Sequence, residues 1–277
     1  MLKKLFVLTL FVSVFGVIQD SKNAWAEQTE YTFGVVPQYE IRKLAAIWLP
    51  ILTELETRTG LKFRLAGAYN IPDFEDNFIK GDFDFAYMNP YHSRLAHKNQ
   101  GYTPLVRDDG QRLFGILVTS KTSGLENVQQ LEGKKIAFPA PNALGASLVI
   151  RADLDQLYQL SYQPKYVHTH SSVYLNVALG KVAAGGGVMG SLSTQPDEIK
   201  DKLVVLYKTR SMASHPVVAH PRVPPEHQEL VRKAFLEIGE TQNGARLLAK
   251  IPIRHITAAA PADYQELNEW GLEHYVE

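Results

Sequence analysis

The sequence predicts an α/β fold made of two similar lobes that are joined by two crossings of the chain. The first observation is the order strand, helix, strand, helix, strand between residues 31 and 88, which is typical of a parallel sheet with helical crossovers. The second is that this alternation starts again with an apolar strand pattern at 113–120. The third is the length of 277 residues, which is long for one compact domain and comfortable for two. We therefore expect one lobe at 27–112 plus 211–277 and the other at 113–210.

The first lobe opens with a strand pattern at 31–36 that stops at Pro37. A helix is predicted from Ile41 to Thr59, because apolar residues recur at helical spacing and Gly60 follows where a helix end favours glycine. The other elements predicted here are a strand at 62–66, a short helix at 74–80 ended by Gly81, and a buried strand at 82–88 that stops at Asn89-Pro90. The helix residues expected on the buried side are Leu44, Ile47, Trp48, Ile51, Leu52 and Leu55.

The second lobe is organised around residues 167–189. This segment begins with the polar residues Thr169, His170, Ser171 and Ser172, turns apolar at helical spacing and reaches Gly180, which predicts a helix that starts at the polar residues. The other elements predicted after residue 120 are a short helix at 125–131, strands at 133–139, near 166–167 and at 203–208, a helix at 144–159, a further apolar segment at 215–219, and helices at 226–238, 244–248 and 261–274.

The N-terminus has the pattern of a cleaved export signal. A basic start, Met1-Leu2-Lys3-Lys4, precedes an apolar stretch at 5–18, and Ala24-Trp25-Ala26 forms an A-x-A cleavage site before Glu27. A membrane anchor is the alternative, but this apolar stretch is short for a membrane span. The chain has no cysteine, which excludes disulfides and the lipid-bearing cysteine of a lipoprotein. We therefore predict a signal peptide at 1–26 and an exported periplasmic protein that does not insert into the membrane after cleavage.

Two predicted helix starts, at Thr169–Ser172 and at Pro141–Ser147, carry small polar or flexible residues, and a third lies near Asn89. The first turn of a helix has backbone N–H groups without intrahelical partners and the positive end of the helix dipole, so it attracts anions. We expect the three starts to face one cleft and to hold a small oxyanion. Ordinary N-caps are the alternative explanation of the same residues.

Several motifs, in the same order along the chain, resemble those of PhnD-like phosphonate-binding proteins. They are Gly34-Val35-Val36-Pro37 with the helix residues 48–52 and 59–60, the strand 81–90, the strand 131–138, and Thr169-His170 followed by Val177-Ala178-Leu179-Gly180. The resemblance implies a type II periplasmic-binding-protein fold, with two Rossmann-like lobes joined by a hinge of two crossings. It also implies the substrate-binding subunit of an ABC importer for phosphate, phosphite or phosphonate, with an ABC permease as partner. We expect it to act as a monomer.

Two departures from the family pattern concern the ligand more than the fold. The segment Asn142–Ser147 stands where the family has a Ser/Thr-rich turn, and Ala183 stands where the family has an aspartate. The first change removes hydroxyl donors and leaves an apolar wall. A ligand with an organic or hydrogen substituent is therefore favoured over fully oxygenated phosphate.

The candidate ligand-binding residues lie at these strand ends and helix starts. Hydroxyl, phenol and imidazole groups can donate hydrogen bonds to an oxyanion, and backbone N–H groups at 143–145 can replace the missing hydroxyls. For each hydroxyl alone, helix capping is the alternative, whereas the family resemblance supports Tyr91 and His170 as ligand contacts. His215, near the return crossing, stays open as a further contact. The predicted set is Tyr39, Asn89, Tyr91, His92, Ala143, Leu144, Gly145, Ser147, Thr169, His170, Ser171 and Ser172.

The sequence gives less support to other functional classes. Twenty-nine basic residues balance 29 acidic ones, so no net field recruits nucleic acid, and no G-x-S-x-G motif indicates a serine hydrolase. We expect no enzymatic activity, no cofactor and no resident metal. Two alternatives remain: a periplasmic sensor that presents its ligand to a membrane kinase, and a metal site built from His168-x-His170 with His92, His97, His215 or His220.

Overall fold

The computed structural model describes residues 30–251 and 253–277. The predicted signal peptide at 1–26 and its cleavage site lie outside the described residues. The chain forms two β-sheets flanked by helices, and the predicted α/β class is confirmed. In chain order the strands are β1 (Glu30–Val35), β2 (Lys62–Ala66), β3 (Phe85–Tyr87), β4 (Thr103–Asp108), β5 (Leu113–Ser120), β6 (Lys135–Phe138), β7 (Gln163–Tyr166), β8 (Ala184–Val188), β9 (Leu203–Met212), β10 (Val217–Ala219) and β11 (Ile256–Ala258).

The helices lie between these strands and cover both sheets. None of those in the described part of the chain is long and apolar enough to cross a bilayer. Short 3-10 turns occur at Val128–Leu131, Pro261–Glu269 and Leu272–Tyr275, and a π-helical turn at Leu144–Leu148. The α-helices are α1 (Ile41–Thr59), α2 (Ile71–Lys80), α3 (Pro90–Gln100), α4 (Val149–Gln156), α5 (His170–Ala178), α6 (Met189–Ser193), α7 (Asp197–Lys200), α8 (Pro225–Glu240) and α9 (Gln242–Leu248).

The first sheet has the strand order β11-β4-β10-β3-β1-β2. Strand β1 runs parallel to β2 and β3, as the strand–helix alternation predicts, and β10 inserts antiparallel between β3 and β4. The second sheet has the order β7-β6-β8-β5-β9, in which β6 is parallel to β7 and β8. The chain passes from the first sheet to the second between β4 and β5 and returns between β9 and β10.

Helix α1 matches its prediction at both ends. Gly60 follows it in the left-handed region, with φ of 70°. All six residues predicted on its apolar side are buried. Trp48 packs between the rings of Phe33 and Tyr87, at centroid distances of 5.2 and 5.0 Å, and so joins α1 to the centre of the first sheet.

Three elements near the cleft differ from the sequence prediction. Helix α3 begins at the helix start expected near Asn89, with Asn89 as N-cap and Pro90 at the first helical position, but its extent to Gln100 was not predicted, because the Asn89-Pro90 pair was also interpreted as a strand end. Strand β3 is shorter than predicted, because only Phe85–Tyr87 pair with β1 and β10. The helix predicted at 144–159 begins as a π-helical turn at Leu144–Leu148 and continues as α4.

Glycines in β8 let two helices lie directly on the second sheet. A Cβ on Gly186 would lie 2.8 Å from Phe138 Cδ1 and 3.1 Å from the carbonyl carbon of Ala146, and closer still to the Ala146 oxygen. A Cβ on Gly187, on the other face, would lie 2.6 Å from Cζ of Tyr174 in α5. Because no side chain separates them, the π-helical turn and α5 both pack against the backbone of β8, which places their starts at one edge of the sheet.

The C-terminal segment contacts helices that flank the second sheet. Leu267 and Leu272 pack in one apolar cluster with Leu148 and Val149. The last residue, Glu277, forms an ion pair of 2.6 Å with Arg151 of α4. The predicted lobe boundaries, 27–112 plus 211–277 and 113–210, stay a prediction.

Candidate functional site

A cleft with two adjoining chambers lies between the two sheets. The inner chamber, of about 20 Å³, is bordered by strand ends and helix starts from both sides of the cleft. The outer chamber, of about 80 Å³, extends toward the two crossings of the chain. Gln38, Val188 and His215 border both chambers. The remaining residues of the inner chamber are Val36, Ile71, Asn89, Ala143, Leu144, Gly145, Ala146 and His170.

Three helix starts meet at the inner chamber. Asn89 caps α3 by accepting a hydrogen bond of 2.8 Å from the backbone N–H of His92. The π-helical turn closes on Ala143, whose carbonyl accepts from both Ser147 N and Leu148 N at 2.7 and 3.1 Å. The N–H groups at 144–146 belong to the first turn and have no intrahelical partner. Together with His170, the first residue of α5, these starts direct partial positive charge toward the chamber.

His170 is held in a chain of buried hydrogen bonds. The side chain is 3% exposed, and its Nδ1 lies 2.8 Å from Ser191 Oγ. Ser191 Oγ in turn lies 2.7 Å from the hydroxyl of Tyr174. Burial lowers the pKa of His170 to about 4, so the imidazole is neutral at pH 7. The ring therefore reaches the chamber in a fixed orientation, as a neutral group.

His215 and Gln38 border the chamber from the first sheet. Nε2 of His215 lies 3.0 Å from Nε2 of Gln38, and the imidazole stacks on the ring of Tyr87 at 5.3 Å. Burial is the main cause that lowers the pKa of His215 to about 3, and the charges that His92 and His170 would carry lower it further. Gln38 is not in the predicted set, and the sequence left His215 open as a further contact. The signals available were that Gln38 lies three residues after the end of β1 and that His215 lies two residues before the returning strand β10.

Tyr39 borders the outer chamber and reaches across the cleft. Its hydroxyl lies 3.3 Å from Thr194 Oγ1, which follows α6 on the other side. Lys43 Nζ lies 4.0 Å from the centroid of its ring. Burial raises the pKa of Tyr39, so the phenol stays protonated and can donate a hydrogen bond.

The structure thus brings five predicted residues to the inner chamber and Tyr39 to the outer one. The five are Asn89, Ala143, Leu144, Gly145 and His170.

The other predicted residues border neither chamber, and their role as ligand contacts stays a prediction. Thr169 caps α5: its Oγ1 accepts from Ser172 N at 3.1 Å and lies 2.9 Å from Ser172 Oγ. Ser171 Oγ accepts a hydrogen bond of 3.3 Å from Gln195. Thr169 and Ser172 therefore have the local partners that the capping alternative requires, whereas the partner of Ser171 lies just after α6. Ser147 is fully buried within the π-helical turn.

Tyr91 and His92 lie on α3 behind the chamber. Tyr91 is buried in an apolar cluster with Leu144 and Leu148. His92 is completely buried, and its Nε2 lies 2.9 Å from Oε1 of Glu75 in α2. Glu75 Oε2 also accepts a hydrogen bond of 3.0 Å from Asn142, which links α2 to the turn on the other side of the cleft.

The inner chamber contains no fixed charge. No Lys, Arg, Asp or Glu is among the described residues that border it. The outer chamber includes Asp108, whose Oδ1 accepts from the N–H groups of Gly110, Arg254 and His255. It also includes Arg112, which pairs with Glu266 at 2.7 Å.

The histidines do not form the predicted alternative metal site in the part of the chain that the structure describes. No three His, Cys, Asp or Glu side chains there come together in a way that could hold a metal ion. His168 has a φ of 73° and His170 lies in a helix, so the His-x-His segment is not extended. The two rings therefore lack the shared direction that the metal alternative assumed.

Comparison with known proteins connects this architecture to one family. The profile of the family described as ABC transporter, phosphonate, periplasmic substrate-binding protein matches residues 33–264. A binding-protein component of an ABC phosphonate transporter from Pseudomonas aeruginosa is similar, with a TM-score of 0.78, 16% identity, and coverage of 88% of this chain and 86% of that one.

PhnD1 from Prochlorococcus marinus, solved in complex with methylphosphonate, is also similar, with a TM-score of 0.80, 12% identity and coverage of 88% and 98%. A Xanthomonas citri protein bound to ATP reaches a TM-score of 0.72 at 14% identity, with coverage of 90% and 99%. These likenesses confirm the predicted type II periplasmic-binding-protein fold.

Proposed function

The chain belongs to the family of periplasmic substrate-binding proteins of phosphonate ABC transporters, and from this membership we propose its function. The protein captures a small oxyanion in the cleft, namely a phosphonate, phosphite or phosphate-like anion. It then delivers this anion to an ABC permease. Members of the family are exported periplasmic components of transporters and not enzymes. The export route, through the signal peptide at 1–26 without lipidation, and the monomeric state are part of the same proposal.

The observation that carries the proposal is the meeting of three helix starts at one buried chamber. Backbone N–H groups at 144–146, the capped start of α3 at Asn89 and the start of α5 at His170 border the same space. Hydrogen bonds from such groups to a charged oxygen are stronger than those between neutral groups. The absence of carboxylates among the described residues of the chamber removes the main source of repulsion for an anion.

The chamber also supports the predicted preference for a substituted phosphorus oxyanion. Val36, Ile71, Leu144 and Val188 give it an apolar wall. An oxygen placed against that wall would lose its hydration without gaining a hydrogen bond, which costs free energy. A methyl group or a hydrogen on phosphorus has no such cost, so we expect a methylphosphonate or phosphite to bind more tightly than phosphate.

Delivery to a permease requires two forms that the partner can distinguish. The inner chamber, at about 20 Å³, has room for about one water molecule, so an oxyanion enters only when the two sides move apart or the chamber widens. Tyr39–Thr194 and Glu75–Asn142 are contacts across the cleft, which a separation of its two sides would break. Because the bound anion would contact groups from both sides, it favours the closed form, and this form is the signal that the permease would recognise.

The proposal is tested by titration calorimetry on protein that has been unfolded and refolded to remove any retained ligand. The panel is methylphosphonate, phosphite, phosphate and, as a control without phosphorus, L-glutamate. We expect methylphosphonate or phosphite to bind at least about tenfold more tightly than phosphate, a difference of about 1.4 kcal/mol, and glutamate not to bind.

Phosphate binding more tightly than both others would contradict the predicted selectivity. Failure of every phosphorus oxyanion to bind would contradict the function itself. Native mass spectrometry of the gently purified protein gives an independent check, because a retained ligand appears as a defined added mass.

A further inference from the structure

The inner chamber contains two buried histidines and no fixed cation among its described residues. His170 enters from the start of α5, and His215 enters from the segment before β10, on the other side of the cleft. Both are nearly inaccessible, at 3% and 9% exposure. A doubly charged oxyanion buried here would find only partial positive charge from the helix starts. Burying an uncompensated charge is strongly unfavourable, so the second negative charge requires a partner.

Each histidine keeps one ring nitrogen for a ligand. Nδ1 of His170 is occupied by Ser191, which leaves Nε2, and Nε2 of His215 is occupied by Gln38, which leaves Nδ1. Among the described residues, the other titratable side chains near this pair are phenols, a third histidine with its glutamate behind the chamber, and charged groups of the outer chamber. Burial raises the pKa of Tyr39, Tyr87 and Tyr174, so these phenols stay protonated.

The other charged groups described near the cleft lie outside the inner chamber. His92 lies behind the chamber and faces Glu75. Asp108, in the outer chamber, accepts three backbone hydrogen bonds, and Arg112 pairs with Glu266. Within the described residues, His170 and His215 are therefore the groups of the inner chamber that can change charge when an anion enters.

We propose that this protein binds a doubly charged phosphorus oxyanion together with one proton taken from the solvent, and that the His170–His215 pair holds this proton against the anion. The inference rests on the proposed function and deepens it, because it states which ionic form the closed site accepts. No covalent bond forms or breaks: the proton adds to a free ring nitrogen and forms a charge-assisted hydrogen bond to an anionic oxygen.

The sign of the pH dependence follows from the two protonation states. Without ligand, burial keeps the pKa values of His170 and His215 at about 4 and about 3, so both rings are neutral near pH 7. A bound dianion favours the protonated ring and raises the pKa of the histidine that faces it. Between the unliganded and liganded pKa values one proton is taken up on binding, so affinity for the dianion rises as pH falls, by up to about tenfold per pH unit.

The test is calorimetric titration of methylphosphonate in several buffers of different ionisation enthalpy, at a pH just above the second ionisation of the free probe, where it carries two charges. The dependence of the observed heat on the buffer gives the number of protons taken up. We expect about one proton for the wild type. His170→Gln and His215→Gln keep hydrogen-bonding capacity without the titrating ring, and the double variant should take up almost no proton and bind at least about tenfold more weakly. The control His274→Gln, at an exposed position, should behave as the wild type.

The wild-type measurement needs no variant to fold and decides by itself whether a proton is taken up. Tight binding of methylphosphonate without proton uptake overturns the inference and leaves the proposed function standing. Uptake that persists undiminished in a folded double variant also overturns it, because the proton then lies elsewhere. Absence of binding by methylphosphonate, phosphite and phosphate alike overturns the proposed function and this inference together.

Discussion

Gly186 does not border the inner chamber itself, but its replacement by alanine should disturb the anion site from behind, through the carbonyl of Ala146, which does border it. The new Cβ would lie 3.1 Å from the carbonyl carbon of Ala146 and closer to its oxygen, and 2.8 Å from Phe138 Cδ1. Ordinary carbon–oxygen contacts in sheets are about 3.3–3.6 Å, so the carbonyl must retreat by on the order of 1 Å. The N–H groups at 144–146 belong to the same turn and must move with it.

Both stability and binding should respond to this displacement. Overpacking of this kind costs about 1–3 kcal/mol of folding free energy. Loss of one charge-assisted hydrogen bond from the turn costs a further 1.5–3 kcal/mol of binding free energy, which is roughly ten- to a hundredfold in affinity. Thermal unfolding of the ligand-free protein and calorimetric titration with methylphosphonate measure the two effects separately.

Gly67→Ala is the matched control, because a Cβ on Gly67 meets nothing within 4 Å. We expect its stability to stay within about 0.5 kcal/mol of the wild type, with unchanged affinity. A Gly186→Ala protein that is as stable as the control and binds as tightly would refute the packing argument. A protein that is destabilised but retains wild-type affinity would show that the N–H groups of the turn do not contact the anion.

Three other substitutions test separately the positioning of His170, the charge of the inner chamber and the closure of the cleft. Ser191→Ala removes the partner of His170 Nδ1, so it should lower ligand-free stability by about 1–3 kcal/mol and weaken methylphosphonate binding in calorimetry. The control Ser193→Ala, at an exposed neighbour, should change neither quantity. Equal behaviour of the two variants would contradict the role of Ser191. Asn89→Asp keeps an N-cap acceptor but places a carboxylate at a buried position of the chamber, so thermal stability without ligand should fall and anion binding should weaken at least about tenfold. Unchanged affinity would place the anion elsewhere. Asn142→Ala removes the contact with Glu75 across the cleft, so the ligand-free form should be more open in small-angle scattering. A scattering curve identical to that of the wild type would contradict this role of the contact.

Local patterns in the sequence predicted those elements that depend on local interactions. Helix α1 was predicted with its exact ends and its buried side, since helical periodicity and the glycine after it act within a few residues. The start of α5 at Thr169 and the left-handed glycine at Gly180 were equally readable. A helix start near Asn89 was expected, but the extent of α3 to Gln100 was not, because Asn89-Pro90 also fits the end of a strand.

The identity of the site depended on contacts between distant segments. The sequence by itself predicted that helix starts at Asn89, at the turn near Gly145 and at His170 would share a cleft, and the structure places all three at the inner chamber. It could not predict which side chains remain available, because hydroxyls such as that of Thr169 are used by the caps that their own helices need. It left His215 open, since the position of this residue depends on β10 returning from the second sheet and inserting antiparallel between β3 and β4. Capping and periodicity are properties of neighbouring residues. A chamber exists only where packing brings together residues more than a hundred positions apart, so the tertiary structure alone decided which residues border it.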